Sequence, residues 1–184
     1  AYNTDTGEQR WRYYAGGALS RPPLAMALPS GNNVVIFGCN DGYVYCLNAA
    51  DGSEKWKFRG APNAKKAMGF GRLGSVWPVV ASPVAYDNKV YFIAGLIPSW
   101  GLFGYCLDAE TGEVEWRNDG NMVSDGLVSV VGPLTISTDH NRVYGTLGRL
   151  QAWALNRTTG KFDGYAPGGR FSFAVDGDGL NFLS

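Results

Sequence analysis

Apolar and polar residues alternate in short runs along this chain, and turn-forming residues separate the runs. The run Glu113-Val114-Glu115-Trp116 alternates strictly, which is the pattern of a strand with one buried face. The runs show no helical periodicity, so the pattern predicts an all-β chain built from short strands.

One eleven-residue segment occurs four times without gaps, at residues 1–11, 46–56, 106–116 and 154–164. Every copy has Asn or Asp at its third position, and that side chain starts a turn by accepting a hydrogen bond from the backbone two residues on. Every copy also has glycine at its seventh position, which supplies the positive φ that closes the turn. These glycines are Gly7, Gly52, Gly112 and Gly160. Each copy is therefore predicted to be a strand, a tight turn and a strand.

Two further strand candidates precede each of the last three copies, and with the copy they make a unit of four antiparallel strands, A to D. The candidates lie at residues 23–27 and 34–38, 82–86 and 89–93, and 132–136 and 142–145. A repeating unit of four short strands predicts a propeller blade, because sandwiches do not repeat at a fixed length. The predicted fold is therefore a partial β-propeller of four-stranded antiparallel blades.

These units divide the chain into the parts of a single domain. The predicted parts are the end of one blade at 1–13, whole blades at 22–59 and 82–118, a degenerate blade at 132–165, and an irregular segment or the start of another blade at 166–184. The third of these blades is degenerate because Gly164 stands where the other copies have tryptophan, so we expect it to dock poorly.

Composition narrows the possible functions. The chain has 184 residues, with 16 basic and 16 acidic side chains and 26 glycines. Such a neutral, turn-rich composition argues against a nucleic-acid-binding protein. No apolar run approaches the roughly 18 residues that span a bilayer, so no membrane span is expected. The first residues lack the basic and apolar regions of a signal peptide, although a leader could precede residue 1.

The three cysteines, Cys39, Cys46 and Cys106, show no CxxC spacing and suggest neither a disulfide framework nor a zinc site. If Asp41-Gly42 is a two-residue hairpin turn, Phe37 lies opposite Cys46. Cys39 and Cys46 are then diagonal neighbours roughly 7 Å apart, which is long for a disulfide. The cysteines are expected to act as small apolar residues.

The segments that end at Trp11, Trp56 and Trp116 resemble the tryptophan-docking motif of quinoprotein β-propellers, whose repeats are named for pyrroloquinoline quinone (PQQ). The resemblance covers nearly the whole chain. It implies that each of these tryptophans packs between adjacent blades, against the small first residue and the glycine turn of a neighbour. Similar repeats occur in quinone-dependent alcohol dehydrogenases, in the propeller lipoprotein of the outer-membrane barrel-assembly machinery and in many secreted proteins. The motif is therefore specific for the fold and much less so for the function.

The resemblance also implies a larger assembly. Propellers of this family close into a ring of about eight blades, and this sequence supplies about half of that number at most. We therefore expect a fragment of a longer protein, whose remaining blades are its partners and whose location is periplasmic or extracellular. In isolation the chain is expected to aggregate, associate or melt at low temperature.

The connections at one end of the predicted blades are long. The B-to-C and D-to-A connections share this end, which we name the loop-rich face, and it includes residues 59–78, 97–103 and 119–131. Long ordered loops on one face are the usual place for binding. Its cations and indoles could hold an anionic, planar ligand or a protein, or they could simply be solvated and cover the blade ends. The candidate binding residues are Arg59, Lys66, Arg72, Trp77 and Trp100.

No catalytic centre is predicted. The resemblance implies that a quinone dehydrogenase needs a calcium or lanthanide ion and an adjacent pair of cysteines, and this sequence has no Cys-Cys pair. The run Asp176-Gly177-Asp178-Gly179 resembles a calcium loop only superficially, because Leu180 occupies the third ligand position. His140, the only histidine, lies in a predicted hairpin tip, which argues against a Ser-His-Asp relay or a His-rich metal centre.

Several functional hypotheses follow. The leading one is a non-catalytic propeller module without a cofactor, acting as a scaffold or as a surface that binds a protein or a small anionic ligand. The alternative is a segment of a PQQ-dependent dehydrogenase, which would hold PQQ with calcium. A third hypothesis is that the blades support an outer-membrane or cell-surface assembly.

Overall fold

The structure is a computed structural model, and it describes residues 1–69, 71–96, 100–119, 134–138, 140–146, 152–165, 173–176 and 179–182. Sixteen strands lie within these residues. Their bounds are β1 Leu24–Ala27, β2 Asn33–Gly38, β3 Tyr43–Asn48, β4 Glu54–Arg59, β5 Lys66–Gly69, β6 Arg72–Ser75, β7 Val84–Tyr86, β8 Lys89–Ala94, β9 Phe103–Asp108, β10 Val114–Asp119, β11 Thr135–Ser137, β12 Arg142–Thr146, β13 Ala152–Asn156, β14 Phe162–Tyr165, β15 Phe173–Asp176 and β16 Gly179–Phe182.

Twelve of these strands form three four-stranded antiparallel sheets in which sequence neighbours pair. We name them the first blade (β1–β4), the second blade (β7–β10) and the third blade (β11–β14). The pairs β5–β6 and β15–β16 are separate two-stranded ribbons. The prediction of an all-β fold is confirmed. Within the described part of the chain, no helix is long and apolar enough to cross a membrane.

The blades follow one another around a common side. The first strands of consecutive blades contact each other, since β7 touches both β1 and β11. Ahead of the first blade, residues 1–11 make a short hairpin with a bridge between Tyr2 and Gln9. We name this segment the N-terminal hairpin.

The core consists of layers between blades. In β3 the four central residues are all buried, because the strand is covered on both faces. One face carries Val44 and Cys46 and packs on the second blade, whereas the other carries Tyr45 and Leu47 and packs on the residues that follow the N-terminal hairpin. A further layer joins the second and third blades.

The turn between β2 and β3 differs from the prediction. Gly38 lies opposite Val44, and the Cys39 amide donates to the Tyr43 carbonyl at 2.9 Å, so the loop has three residues instead of two. This shift of one residue places Cys39 and Cys46 on opposite faces of the sheet. All three cysteines are buried and free.

A bulge interrupts the predicted alternation at the end of each repeat. Cys106 lies opposite Trp116 and Leu107 lies opposite Val114, so one extra residue sits on β10. Val114 is consequently 48% exposed, although the alternating pattern places it on the same face as Trp116. The C and D strands of the first and third blades carry an irregularity in the corresponding place.

Candidate functional site: blade junctions and the loop-rich face

The three motif tryptophans make the same hydrogen bond across three blade junctions. Each indole Nε1 donates to the backbone carbonyl of the fourth residue in the following copy of the repeat. The bonds run from Trp11 to Ala49 at 2.9 Å, from Trp56 to Ala109 at 2.9 Å, and from Trp116 to Arg157 at 2.8 Å.

Glycine permits the close approach of each ring. Gly52, Gly112 and Gly160 have φ values of 75°, 75° and 69°, and a Cβ atom on any of them would lie less than 3.0 Å from an indole atom of the preceding copy. Gly7 also has a positive φ, but a Cβ there would meet nothing within 4 Å. The same residue type therefore closes the turn in every copy and seats an indole in three of them.

The small first residue of the repeat lies opposite a different tryptophan from the one that the resemblance implies. Cys46 lies opposite Trp56 and Cys106 opposite Trp116, so each pairs with the tryptophan of its own copy instead of a neighbour's. Burial raises the pKa of the Cys46 thiol to about 12 and that of Cys106 to about 11. Such thiols remain protonated and serve as apolar contacts at neutral pH. Gly164, in the tryptophan position of the fourth copy, has no neighbour within 4 Å of a hypothetical Cβ.

An ion pair links the first and second blades at their junction. The Lys55 ammonium lies 2.7 Å from Glu110 Oε1, which also accepts a hydrogen bond from Ser30 at 3.1 Å. Hydrogen bonds from Lys55 and Ser30 lower the pKa of Glu110. Lys55 and Glu110 hold the tenth and fifth positions of consecutive copies, so this contact lies beside the Trp56 hydrogen bond.

On the loop-rich face, the Trp77 side chain is buried against other residues of the chain. The ring is 8% exposed, its Nε1 donates to the Trp100 carbonyl at 2.6 Å, and it packs edge-on against Phe103. A planar quinone therefore does not fit against Trp77 as a stacking partner. Trp100 is 47% exposed.

The three cationic candidates lie apart from one another. In the ribbon of β5 and β6, Lys66 lies opposite Ser75 and Arg72 opposite Gly69. Because side chains alternate along a strand, Lys66 and Arg72 project from opposite faces of this ribbon. Arg59 is exposed at the end of β4, opposite Tyr43. The structure does not bring these residues together as one cradle.

The β5–β6 ribbon was not predicted, because residues 59–78 read as a loop. One of its faces carries Ala67, which packs against the buried cluster of Ala61, Val76 and Trp77. The other carries Met68 and Leu73, which lie directly opposite each other and are 73% and 62% exposed. Glycine-rich ends on both strands hide the strand pattern in the sequence.

The stretch of sequence that contains the ribbon carries charge of one sign. No acidic residue lies between Glu54 and Asp87, whereas six basic residues do. Lys55 is paired with Glu110, and Lys57 lies 4.3 Å from the centre of the Tyr43 ring. The remaining cations of this stretch are Arg59, Lys65, Lys66 and Arg72.

Other predicted features are placed as follows. The His140 ring lies 3.2 Å from the Ser137 hydroxyl in an exposed turn. Gly177 and Asp178 of the superficially calcium-like run lie outside the described residues, as does the loop at 120–131. Among the residues that the structure describes, no group of three or more His, Cys, Asp and Glu side chains is placed to hold a metal ion.

The chain resembles several known proteins in fold or in sequence. The chain matches BamB from Moraxella catarrhalis with a TM-score of 0.59 and 19% identity, covering 88% of this chain and 40% of that one. It matches quinohemoprotein alcohol dehydrogenase from Comamonas testosteroni with a TM-score of 0.62 and 20% identity, covering 90% and 31%. Residues of the beta-alanine-activating enzyme of Danio rerio are 33% identical over 78 positions, 41% of this chain and 7% of that protein.

These comparisons confirm the predicted propeller fold, and the chain spans less than half the length of each relative. The model of one family, described as outer membrane protein assembly factor BamB, matches residues 1–163. The chain therefore belongs to this family of PQQ-like β-propeller repeats.

Proposed function

We propose that this chain is a non-catalytic blade segment that binds a protein partner through the β5–β6 ribbon on its loop-rich face. The exposed pair Met68 and Leu73 carries the proposal. The central strands of the blades pack their apolar side chains between sheets, whereas Met68 and Leu73 face solvent on a ribbon outside the blades. Adjacent exposed apolar side chains in an ordered element are typical of protein-binding surfaces.

Charge indicates what kind of partner segment fits. Of the cations in this part of the chain, Lys66 lies on the same face of the ribbon as Met68 and Leu73, and the stretch from Lys55 to Tyr86 has no acidic residue to neutralise its basic side chains. A segment with apolar residues flanked by Asp or Glu would bury its apolar side chains on Met68 and Leu73 and pair its carboxylates with these cations. The partner is therefore a protein with an acidic, apolar segment.

Rigid blade junctions support this role. The three tryptophans tie consecutive copies of the repeat together, and each ring lies on a glycine turn that leaves no space for another residue. We propose that these docking contacts hold the ribbon at a fixed position on the propeller. The remaining blades of a longer protein would continue the same series of contacts.

Location is inferred from the family. Its description names an outer membrane protein assembly factor, which supports a periplasmic or cell-surface location for the parent protein. Cell fractionation of the native host with an antibody against this segment is the test. Recovery in the cytosolic fraction would contradict this location.

Selection of peptides tests the ribbon directly. Random twelve-residue peptides displayed on phage are selected on the full-length parent protein, and the enriched peptides are measured against its Met68→Ser/Leu73→Ser variant. We expect enriched sequences with Asp or Glu beside Leu or Phe, and at least a tenfold weaker affinity for the variant, about 1.4 kcal/mol. Val114→Ser, which removes an apolar side chain of similar exposure from another sheet, is the matched control.

The dehydrogenase alternative is tested with the same protein. PQQ and Ca²⁺ are added to the full-length parent, and the quinone absorbance is followed. The proposal predicts an unchanged spectrum, because Trp77 has its ring and its N–H engaged by Phe103 and Trp100. Saturable binding of PQQ would overturn the non-catalytic assignment. Peptides that bind the ribbon variant as well as the original protein would overturn the ribbon as the binding surface.

A further inference from the structure

The two edges of the β5–β6 ribbon differ, because the first blade contacts one of them. The Ser75 amide on the outer edge of β6 donates to the Asn40 carbonyl at 2.9 Å. Asn40 lies in the turn between β2 and β3. Ala67 on one face of the ribbon packs against the buried cluster that contains Trp77. The ribbon is therefore fixed to the propeller through β6 and this face, and β5 is its outer strand.

The hydrogen-bond pattern shows which backbone groups point outward from β5. The Val76 amide donates to the Lys65 carbonyl at 3.1 Å, so these two residues form a hydrogen-bonded pair of the antiparallel ribbon. Such pairs alternate with pairs whose backbone groups point away from each other. Lys66 and Met68 belong to pairs of the second kind, so their amides and carbonyls point away from β6. The outward direction of the Ser75 amide, opposite Lys66, fits the same alternation.

These outward backbone groups are open to solvent. Lys66 is exposed, and Met68 is 73% exposed. Within the part of the chain that the structure describes, the amides and carbonyls of these two residues have no hydrogen-bond partner. Unpaired amides and carbonyls along an ordered strand form an edge to which an extended segment of another chain can add as a further strand.

The outer strands of the first and second blades are less suited to such an addition. Register shifts interrupt the pairing of β4 with β3 and of β10 with β9. Bulges of this kind are among the features that keep a sheet edge from pairing with another chain. In contrast, β5 pairs with β6 without a shift from Lys66 to Gly69. The edge of β5 is therefore regular, and it borders the exposed side chains of Met68 and Leu73.

We propose that a segment of the partner protein adds to β5 as a third, antiparallel strand of the ribbon. This strand addition rests on the function proposed above, because it describes how the partner segment is held. Antiparallel pairing is slightly more stable per residue than parallel pairing. A partner residue opposite Met68 then extends the apolar face, and the partner residue opposite Lys66 lies on that same face. The segment that fits carries an apolar residue, a small residue and then Asp or Glu.

Charge argues against a second copy of this chain as the occupant. No acidic residue lies between Glu54 and Asp87. Antiparallel pairing of β5 with its own copy would bring both Lys66 side chains onto one face, with no carboxylate from either ribbon beside them. A partner segment with Asp or Glu at this position forms an ion pair instead.

The test uses the full-length parent protein and the peptide Thr-Val-Thr-Glu-Thr with a fluorophore at its amino end. Affinity is measured by fluorescence anisotropy at 0.15 M salt, with one peptide nitrogen methylated at a time. We expect methylation at valine or glutamate to weaken binding at least tenfold, because those amides would donate to β5 carbonyls. Methylation at the central threonine is the matched control. It should change the affinity less than threefold, because that amide points away from β5.

Protein variants separate the backbone contact from the side-chain contact. Met68→Pro and Met68→Ala both remove the apolar side chain, but only the proline also removes the outward N–H. We expect Met68→Pro to bind the peptide at least tenfold more weakly than Met68→Ala. Lys66→Glu should also weaken binding at least tenfold, whereas Lys65→Glu makes the same charge change on the other face and should cost less than threefold. The methylated peptides test strand addition even if Met68→Pro fails to fold.

Several results would overturn strand addition. They are equal affinities for all methylated peptides, no binding at about 1 mM peptide, and a dimer of the parent protein that Met68→Pro dissociates, which would identify a second copy as the occupant. The phage-selected peptides separate this failure from failure of the proposed function. If they still bind the Met68→Ser/Leu73→Ser variant more weakly, the ribbon remains the binding surface and only the strand addition is wrong.

Discussion

The first and second blade junctions use the same motif, but they surround its tryptophan differently. Trp11 and Trp56 donate to equivalent carbonyls and lie on equivalent glycines. Trp56 is 9% exposed and packs in a cluster contributed by two complete sheets, whereas Trp11 is half-buried against one sheet. The motif thus sets the contact, and the sheets on either side of it set how much apolar surface the contact removes from water.

Truncation of the two tryptophans should give the largest difference between the junctions. We expect Trp56→Ala to lower the free energy of unfolding by about 4 kcal/mol and Trp11→Ala by about 2 kcal/mol, because less surface is buried around Trp11. Urea unfolding followed by circular dichroism measures both. Trp100→Ala, at an exposed ring, is the control, and equal losses for Trp11 and Trp56 would contradict the role of the surrounding sheets.

Glycine substitutions separate backbone strain from crowding. Gly112→Ala combines a positive φ with a Cβ atom 2.8 Å from the Trp56 ring, so we expect a loss of about 3 kcal/mol. Gly7→Ala has a similar φ but open space around it, and the expected loss is about 1 kcal/mol. Thermal unfolding of both variants checks this. Similar losses would mean that the indole moves aside at little cost.

Thiol labelling compares how often the core layers at the first and second junctions open to solvent. Cys39 lies in the layer at the first junction and Cys46 in the layer at the second, and both are fully buried. Burial raises the pKa of Cys39 to about 11 and that of Cys46 to about 12, so reaction requires local opening. We expect Cys39 to react at least about tenfold faster with an aromatic disulfide, with site-resolved mass spectrometry as the measurement. A faster Cys46 would reverse the inferred order of stability.

The ion pair at the second junction should have the smallest effect and a distinct pH dependence. The folded-state pKa of Glu110 lies below its ordinary value of 4.5, so the charged form stabilises the folded chain at neutral pH. That contribution is lost as the pH falls below 4.5 and through the folded-state pKa. Glu110→Gln should therefore be less stable than the original chain at neutral pH and equally stable in acid, measured by urea unfolding. Glu113→Gln, an exposed glutamate outside this pair, is the control.

Much of the fold follows from local patterns in the chain. The repeated Asn or Asp and Gly positions locate the C-to-D turns, and the apolar runs locate most of the blade strands. The register of β2 and β3 does not follow, because Val34, Val35, Ile36 and Phe37 are all apolar. A strand buried on both faces offers no alternation by which to choose between neighbouring registers.

The surroundings of the candidate binding residues were harder to predict from the sequence. Trp77 reads as an exposed loop aromatic, but the neighbouring blade supplies Phe103 and the Trp100 carbonyl that bury it. Lys66 and Arg72 are close in sequence, but the ribbon turns them to opposite faces. The ion pair of Lys55 and Glu110 could be predicted only by knowing that the fifth position of one copy meets the tenth position of the preceding copy across a junction.

The sequence by itself determined the repeat, because turns and short strands depend on side chains within a few residues of one another. It also determined that three copies carry tryptophan at the eleventh position and that all four carry glycine at the seventh. Only the tertiary structure decided which faces are covered, which cations remain unpaired and which apolar pair meets water. These properties depend on segments that pack together although they are far apart in the sequence. The sequence alone does not show which of those segments are in contact.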